Sequence, residues 1–120
     1  MYEVIFYQDA AGNQPVKEHL IELSRQTDKN SRLNHNKISD YITLLKKHGL
    51  ALRKPVIDSL GDGLWELRPL KNRVLFFMNA GNEFILLHHF IKKTRKTPKS
   101  EKETARRRMK DFIERSKKHE

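Results

Sequence analysis

The segment from Gly63 to Asn79 constrains the fold more than any other part of the sequence. It reads GLWELRPLKNRVLFFMN, in which two runs rich in aromatic and aliphatic residues flank the short turn PLKN. Two such runs around a turn predict an antiparallel β-hairpin. Because side chains alternate along a strand, one face of this hairpin is wholly apolar and is expected to pack against helices. The side chains on that face are Trp65, Leu67, Val74, Phe76 and Met78.

The other face of the hairpin is charged. With a four-residue loop, Arg68 lies directly opposite Arg73, and Glu66 lies opposite Leu75. Two arginines side by side are unfavourable unless an acid or a bound anion lies between them. Glu66 can bridge Arg68 in a structural ion pair, or the two guanidinium groups can clamp a phosphate. The sequence leaves both alternatives open.

One strand and two helices are predicted upstream of the hairpin. The run YEVIFY, at positions 2–7, is typical of a strand. Pro15 to about Gln26 predicts an amphipathic helix that begins at a proline. A longer helix is predicted from about Arg32 to His48, with Ser31 as its N-cap.

The remaining elements include one weak strand. The run VIDSL, before the hairpin, is a weak strand or an extended lead-in, and FILLHHFI, after it, predicts a strand. Beyond the KTRKTPKS linker, a basic helix is predicted from Glu101 to about Lys117. Ser100 and Glu103 have the spacing of a capping box at its start.

This order of elements predicts one α+β domain over residues 1–120. A β-α-α unit is followed by a meander of three or four antiparallel strands and then by the last helix. The expected packing is a small, mainly antiparallel sheet with the two N-terminal helices on one face. The C-terminal helix is expected across an edge or on the other face.

Positive charge is concentrated at the C-terminal end of the chain. The 120 residues carry a net charge of +10, and the part from Lys92 onward holds 13 Lys and Arg against five acidic residues. This distribution favours a polyanion or an acidic protein partner at that end. The alternative is a solvated basic helix that has no dedicated ligand.

The sequence lacks cysteine and long apolar runs, and this limits where in the cell the protein is expected and which metal sites it can form. The chain has no cysteine, which excludes disulfides and thiolate metal sites. It shows neither a secretory signal nor an apolar run long enough to cross a membrane. We therefore expect a cytoplasmic protein with no membrane association.

The last strand is expected to bring further cations to the arginines. The more aliphatic of its two alternating sets should face the core, and this set consists of Ile85, Leu87, His89 and Ile91. His88 and Lys92 then lie on the side of Arg68 and Arg73. A site so poor in carboxylates does not suit Mg²⁺, and adjacent histidines on a strand point to opposite faces, which is unfavourable for zinc. We predict no metal and no cofactor.

A cluster of cations without a metal suits one kind of reaction. Fixed positive charge can stabilise a phosphorane, and a nearby side chain can supply a proton. Metal-free RNA cleavage needs both of these functions, and its nucleophile is the 2′-hydroxyl of the substrate itself.

The strings GDGLWELRP, RVLFF and LLHHFIKKTRKTP, followed by an ARRR helix, resemble the HigB toxins. More narrowly, they resemble the HigB branch that is similar to phage-derived proteins, within the RelE/ParE superfamily of type II toxin–antitoxin systems. The resemblance implies a RelE-like fold and metal-independent cleavage of mRNA in the ribosomal A site. It also implies a helix-turn-helix antitoxin, HigA, which neutralises the toxin and represses the operon. The toxin would therefore contact operator DNA only indirectly, through the antitoxin.

The resemblance also assigns site residues. The family's two arginines fall on Arg68 and Arg73, and its basic pair falls on Lys92 and Lys93. His88 occupies the family's histidine position, whereas His89 replaces a small residue, so which histidine lies near the cleft stays open. No tyrosine near the C terminus corresponds to the base or stacking residue of some RelE relatives. The residue that transfers protons is therefore not assigned.

Together, the residues and the resemblance predict a ribosome-dependent mRNA endonuclease toxin. Arg68 and Arg73 would bind the scissile phosphate, with Lys92, Lys93 and His88 completing the catalytic set. The residues expected to hold RNA or the ribosome are Arg95, Lys96, Arg106, Arg107 and Arg108. The alternatives are a ParE-like gyrase poison and a non-catalytic nucleic-acid-binding or interaction module.

Overall fold

The computed structural model describes residues 1–118, which form three α-helices and one five-stranded sheet. The helices are α1 (Pro15–Arg25), α2 (Lys29–His48) and α3 (Lys99–Lys118). The strands are β1 (Glu3–Phe6), β2 (Ile57–Gly61), β3 (Leu64–Leu67), β4 (Asn72–Asn79) and β5 (Glu83–Ile91). Their order across the sheet is β1-β5-β4-β3-β2, and β1 is parallel to β5 while the other neighbours are antiparallel. This architecture confirms the predicted α+β class and agrees with a RelE-like fold.

The sheet is covered by helices on both faces. On one face, Val16 of α1 and Ile38 and Leu45 of α2 pack against apolar side chains of the sheet. On the other face, Ala105 of α3 is completely buried against a second apolar cluster. The C-terminal helix therefore lies on the opposite face rather than across an edge. Within residues 1–118, none of the helices combines the length and the apolarity that a membrane crossing requires.

The register of the β3–β4 hairpin is the predicted one. Glu66 pairs with Leu75, and the flanking pairs continue the same alternation. The apolar face of the hairpin packs toward α1 and α2, as expected. A turn joins the two strands, in which the N–H of Asn72 donates to the carbonyl of Pro69 at 3.0 Å. The charged face of the hairpin consequently lies on the side of α3.

A bulge in β5 corrects the predicted faces of that strand. The pairing of β4 with β5 shifts at Leu87, so that His88 pairs with Leu75. Ile85 and Leu87 are buried, as expected, but they lie on the side of the arginines, in the cluster under α3, and not on the opposite side with His89. Ile91, which was expected in the core, is 55% exposed. His88 lies on the side of the arginines, as predicted. A simple alternation of polar and apolar residues cannot show such a bulge, because the extra residue changes the parity of everything beyond it.

Two predicted helix starts also need correction. The N-cap of α2 is Asp28 rather than Ser31, since the Asp28 carboxylate accepts a hydrogen bond from the Ser31 N–H at 2.9 Å. Helix α3 already includes Ser100, so this residue is not the cap. Instead, the carbonyl of Pro98 accepts the N–H of Glu101 at 3.1 Å.

A polar network joins β4 and β5 to the two N-terminal helices. The ring of His89 stacks on that of His19 in α1, with 3.6 Å between the ring centroids. Its Nε2 lies 2.9 Å from Oδ1 of Asn72, whose Nδ2 donates to Oδ1 of Asn34 in α2 at 2.7 Å. Because Asn72 Oδ1 can only accept, His89 Nε2 carries the hydrogen. Burial, with the neighbouring histidines, lowers the pKa of His89 to about 3.

This network predicts a loss of stability in mild acid. The unfolded chain protonates His89 near pH 6.5, whereas the folded chain does so only near pH 3, so protonation favours the unfolded state as the pH falls below about 6.5. Between pH 7 and pH 5, we expect His89 to lower the free energy of unfolding by about 2 kcal/mol. His89→Gln keeps a donor for Asn72 but does not titrate, so this variant should not lose the roughly 2 kcal/mol that His89 accounts for. The measurement is the free energy of unfolding from urea denaturation at the two pH values.

The exposed His48 provides a matched control. His48→Gln should keep the pH dependence of the wild type. If His89→Gln kept it as well, the neutral state of buried His89 would not contribute to stability.

Candidate functional site

A buried carboxylate lies between the two arginines of the hairpin. Glu66 is only 4% exposed, and its Oε2 and Oε1 atoms lie 3.8 Å from Arg68 Nε and 4.0 Å from Arg73 Nε, respectively. The hydroxyl of Thr97, in the segment that precedes α3, donates to Glu66 Oε1 at 2.5 Å. The structural ion pair that the sequence allowed is therefore present and extends to both arginines. One negative charge between two positive ones leaves the cluster with a net positive charge.

Arg73 is held rigidly by the turn beside it. Its Nη1 donates to the carbonyls of Leu70 and Asn72, at 2.9 and 2.7 Å. Burial lowers the pKa of this guanidinium, Glu66 raises it, and the positive charge of Arg68 lowers it further. An arginine so fixed presents its charge without any loss of side-chain freedom when a ligand arrives.

Arg68 has an unused hydrogen-bond donor. Its Nε atom is shielded from solvent and makes no hydrogen bond with any part of the chain that the structure describes. The 3.8 Å separation from Glu66 is short enough for an ion pair but too long for a hydrogen bond. Buried polar groups are rarely left without a partner, and an anion is the natural acceptor for a guanidinium. The Arg68 side chain as a whole is 25% exposed, so its guanidinium, rather than the shielded Nε atom, can meet a further anion at the surface.

A cleft rich in cations opens next to Arg73, with a volume of about 420 Å³. We call it the cation cleft. Its basic side chains are those of Lys71, Arg73, Lys92, Lys93 and Arg95, and no carboxylate lines it. The N–H of Lys92 donates to the carbonyl of Lys71 at 2.7 Å and so joins the two walls. Arg68 does not line this cleft but lies close enough for its charge to act on Arg73.

Lys71 is the basic residue of the cleft that the sequence did not predict. It lies in the PLKN turn, two positions before Arg73, where the predicted loop brings it close to the arginines. The position of Lys71 in the loop could have indicated that it lies near the arginines. Its contact with Lys92 could not be predicted, because it joins segments far apart in the chain.

The two adjacent histidines lie outside the cation cleft. His88 is on the side of the arginines, but its Nδ1 lies 3.0 Å from the Arg108 guanidinium and its Nε2 lies 3.3 Å from Glu101 Oε1. Because Arg108 can only donate, His88 Nδ1 accepts and Nε2 carries the hydrogen toward Glu101. Burial lowers the pKa of His88, although Glu101 opposes this effect. Both ring nitrogens of His88 therefore connect β5 to α3, while His89 lies on the opposite face.

The arginine triplet of α3 is divided between internal and exposed positions. Arg106 donates to the carbonyl of Leu60 at 3.4 Å, and Arg108 donates to the carbonyl of Leu87 at 2.9 Å. Arg107 is exposed. Within residues 1–118, no group of three or more His, Cys, Asp or Glu side chains is arranged to hold a metal ion.

The two other predicted RNA contacts lie in the segment that follows β5. Arg95 and Lys96 are both exposed, and Arg95 lines the cation cleft. The hydroxyl of Thr94 donates to the carbonyl of Lys96 at 2.8 Å, which shapes this segment locally. Exposed cations continue the positive surface of the cleft toward α3.

The position of Glu66 between the two arginines leads to a prediction about anion binding. Glu66→Gln can keep the hydrogen bond from Thr97 but leaves Arg68 and Arg73 without their counter-charge. Because an unpaired buried charge is strongly unfavourable, we expect the free energy of unfolding to fall by about 3 kcal/mol. Phosphate should restore more of this loss than sodium chloride at equal ionic strength, as measured by thermal and urea denaturation.

A surface ion pair supplies the control for this measurement. Glu103→Gln removes the charge beside the exposed Lys99, whose Nζ lies 3.9 Å from Glu103 Oε1. This change should alter stability by less than about 1 kcal/mol and should give no specific response to phosphate. Equal responses of the two variants to phosphate would contradict an anion site at the arginines.

Comparison with known proteins identifies the family. A family model described as "Phage derived protein Gp49-like (DUF891)" matches residues 22–110. None of the curated proteins matches the chain with significant similarity. The matched part is well over half of the chain and includes Glu66, both arginines and the whole cation cleft. The chain therefore belongs to the Gp49-like family of phage-derived proteins, a toxin-like family of the RelE/ParE type.

Proposed function

We propose that this chain is the toxin of a type II toxin–antitoxin system and acts as a HigB-type endoribonuclease that cleaves mRNA on the ribosome. The observation that carries the proposal is the partly exposed Arg68 beside the rigid Arg73, both next to one buried carboxylate and close to a cleft whose charged side chains are all basic. Membership in a toxin-like family supports it independently. A phosphodiester is the anion that fits such a cleft best, since it offers two non-bridging oxygens to a guanidinium fork.

In the proposed reaction, the 2′-hydroxyl of a ribose attacks the adjacent phosphorus. A bond forms between O2′ and phosphorus, and the bond from phosphorus to O5′ of the next nucleotide breaks. The products are a 2′,3′-cyclic phosphate and a free 5′-hydroxyl, and the proton lost by O2′ is balanced by the proton gained by O5′. Negative charge builds up on the phosphorane oxygens, where fixed cations are most effective.

Each residue of the cluster has a role in this reaction. Arg68 and Arg73 hold the non-bridging oxygens of the scissile phosphate, and Glu66 orients the two guanidinium groups. Lys92 and Lys93 bind the neighbouring backbone phosphate and supply the proton to O5′. His88 and His89 take no direct part, because the first is bonded to α3 and the second lies on the opposite face.

The proposed partners follow from the surface charge and from the family. The exposed residues Arg95, Lys96 and Arg107 hold ribosomal RNA around the A site, with a salt dependence typical of phosphate contacts. Arg106 and Arg108 contribute chiefly by fixing α3 on the sheet. An antitoxin of the HigA type, with a helix-turn-helix domain, neutralises the toxin in the cytoplasm and binds operator DNA.

The sharpest test of this function is Arg68→Lys, which keeps the charge but removes the guanidinium fork. Arg68 is preferable to Arg73, since Arg73 also holds the turn through two carbonyl contacts. Loss of one transition-state donor should lower the rate of mRNA cleavage on translating ribosomes by roughly 10²- to 10³-fold. The measurement is the rate at which new 5′ ends appear on a translated message, with an untranslated RNA in the same reaction.

Arg25→Lys, on the exposed end of α1, is the control and should leave cleavage unchanged. Cuts in untranslated RNA at the same rate would contradict dependence on the ribosome. Growth arrest with DNA breaks and no new RNA ends would instead identify a gyrase poison. If neither growth arrest nor RNA cleavage is observed, the protein is a non-catalytic binding module.

A further inference from the structure

A second cavity lies on the other side of the β3–β4 turn from the cation cleft. It has a volume of about 590 Å³ and is bounded by α1, α2 and the turn, and we call it the α1–α2 cavity. Leu70 and Lys71 line both the cation cleft and the α1–α2 cavity. The turn is therefore a wall shared by the two spaces, and one extended ligand can occupy both at once.

The lining of the α1–α2 cavity combines apolar flanks with neutral polar groups. Leu70 and Ile91 are 46% and 55% exposed, so both offer aliphatic surface to a ligand in the cavity. Asn30 and Ser31, at the start of α2, also line the cavity and carry a carboxamide and a hydroxyl. Carboxamides and hydroxyls both donate and accept hydrogen bonds, so this lining suits a flat ligand with a polar edge.

The backbone conformation of the β3–β4 turn also indicates a ligand site at the wall shared by the cation cleft and the α1–α2 cavity. Leu70 has a φ of +59°, in the left-handed region that leucine rarely adopts. A glycine or an asparagine would adopt this conformation more readily. Backbone strain of this kind is concentrated at ligand sites, because the surrounding structure holds the residue there for a purpose other than stability. The strained leucine is exposed at the shared wall of the two spaces.

The floor of the cavity is rigid and bears no negative charge. Asn34 and Asn72 hydrogen-bond each other at 2.7 Å, and Asn72 is held in turn by His89. No carboxylate lines the cavity, and its one charged residue is Lys71. A ligand that carries phosphate therefore meets no repulsion here, and the polar groups that receive it are already in position.

We propose that the α1–α2 cavity binds a nucleobase of the RNA strand whose phosphate occupies the cation cleft. This inference rests on the proposed function, because it takes the ligand of the cleft to be RNA. A phosphate in the cleft places a base of the same or the adjacent nucleotide at the other side of the shared turn. The base faces contact Leu70 and Ile91, and its edge bonds to Asn30 and Ser31, which is how proteins read unstacked bases. The cavity thereby gives the cleavage reaction a base preference.

The test compares ligands that differ only in the base. The free protein is titrated with the four ribonucleoside 5′-monophosphates and with ribose 5-phosphate, and binding is followed by calorimetry and by NMR of labelled protein. We expect at least one mononucleotide to bind roughly fivefold or more tightly than ribose 5-phosphate, which is the lower range of base–side-chain contacts. The NMR signals of Asn30 and Ile91 should move with mononucleotides and not with ribose 5-phosphate.

A pair of exposed aliphatic residues gives a matched control. Ile91→Ala should remove the advantage of the preferred mononucleotide and leave the affinity for ribose 5-phosphate unchanged. Leu33→Ala, on α2, removes a side chain that is 48% exposed and does not line the cavity, and it should change neither affinity. Thermal denaturation verifies that both variants remain folded.

The outcomes separate this inference from the proposed function. If the wild type cleaves mRNA on ribosomes but binds mononucleotides no more tightly than ribose 5-phosphate, the base site is overturned and the nuclease stands. If the wild type cleaves no RNA but prefers mononucleotides and loses this preference in Ile91→Ala, the base site stands and the nuclease falls. Equal effects of Ile91→Ala and Leu33→Ala would overturn the base site.

Discussion

The contact of one buried carboxylate with two arginines organises the candidate site of this molecule. Glu66 allows Arg68 and Arg73 to lie side by side on the hairpin, which their mutual repulsion would otherwise oppose. It also accepts the hydroxyl of Thr97 and so holds the segment between β5 and α3 against the sheet. A buried ion pair of this kind adds little to stability once desolvation is counted. Its effect is instead to fix the positions of the cations that follow β5.

The β3–β4 turn joins two environments that the sheet otherwise separates. On the side of α3 lies the charged cluster, and on the side of α1 and α2 lies the neutral cavity with its histidine and asparagine network. Leu70 and Lys71 face both of them, and Arg73 secures the turn through its carbonyls. Under the proposed function, a strand of RNA that bends over this turn would meet charge for its backbone and apolar surface for a base. The two proposed functions of the turn, phosphate binding and base binding, therefore involve different side chains on its two sides.

Much of the fold could be predicted from local patterns in the sequence. Alternation and a four-residue loop were enough for the register of the hairpin, including the position of Arg68 and Arg73 on one face. The bulge at Leu87 could not be predicted, because nothing in the run LLHHF distinguishes an inserted residue from a regular one. Likewise, both Asp28 and Ser31 are good N-caps, and only the observed hydrogen bond decides between them.

The site could be predicted only in part, since its decisive contacts join distant segments. The sequence left open whether Glu66 neutralises an arginine or the arginines receive a phosphate. The structure has the ion pairs, and it also has a donor of Arg68 that they do not use. His88 was placed on the correct side of the sheet, but its contacts with α3 depend on how that helix docks. The alternation of side chains along a strand shows which face a residue lies on, but not which helix residue it contacts.

The bulge in β5 determines where along the sheet the last helix can rest. A bulged residue does not take a regular place in the ladder, and the carbonyl of the bulged Leu87 accepts a guanidinium N–H from Arg108. A helix displaced by one turn along its axis would bring Thr104 or Phe112 to this carbonyl instead. The threonine hydroxyl is too short to reach as far as an arginine, and the phenyl ring has no donor. The hydrogen bond between Arg108 and the bulged residue thus helps to fix the position of α3 along the sheet.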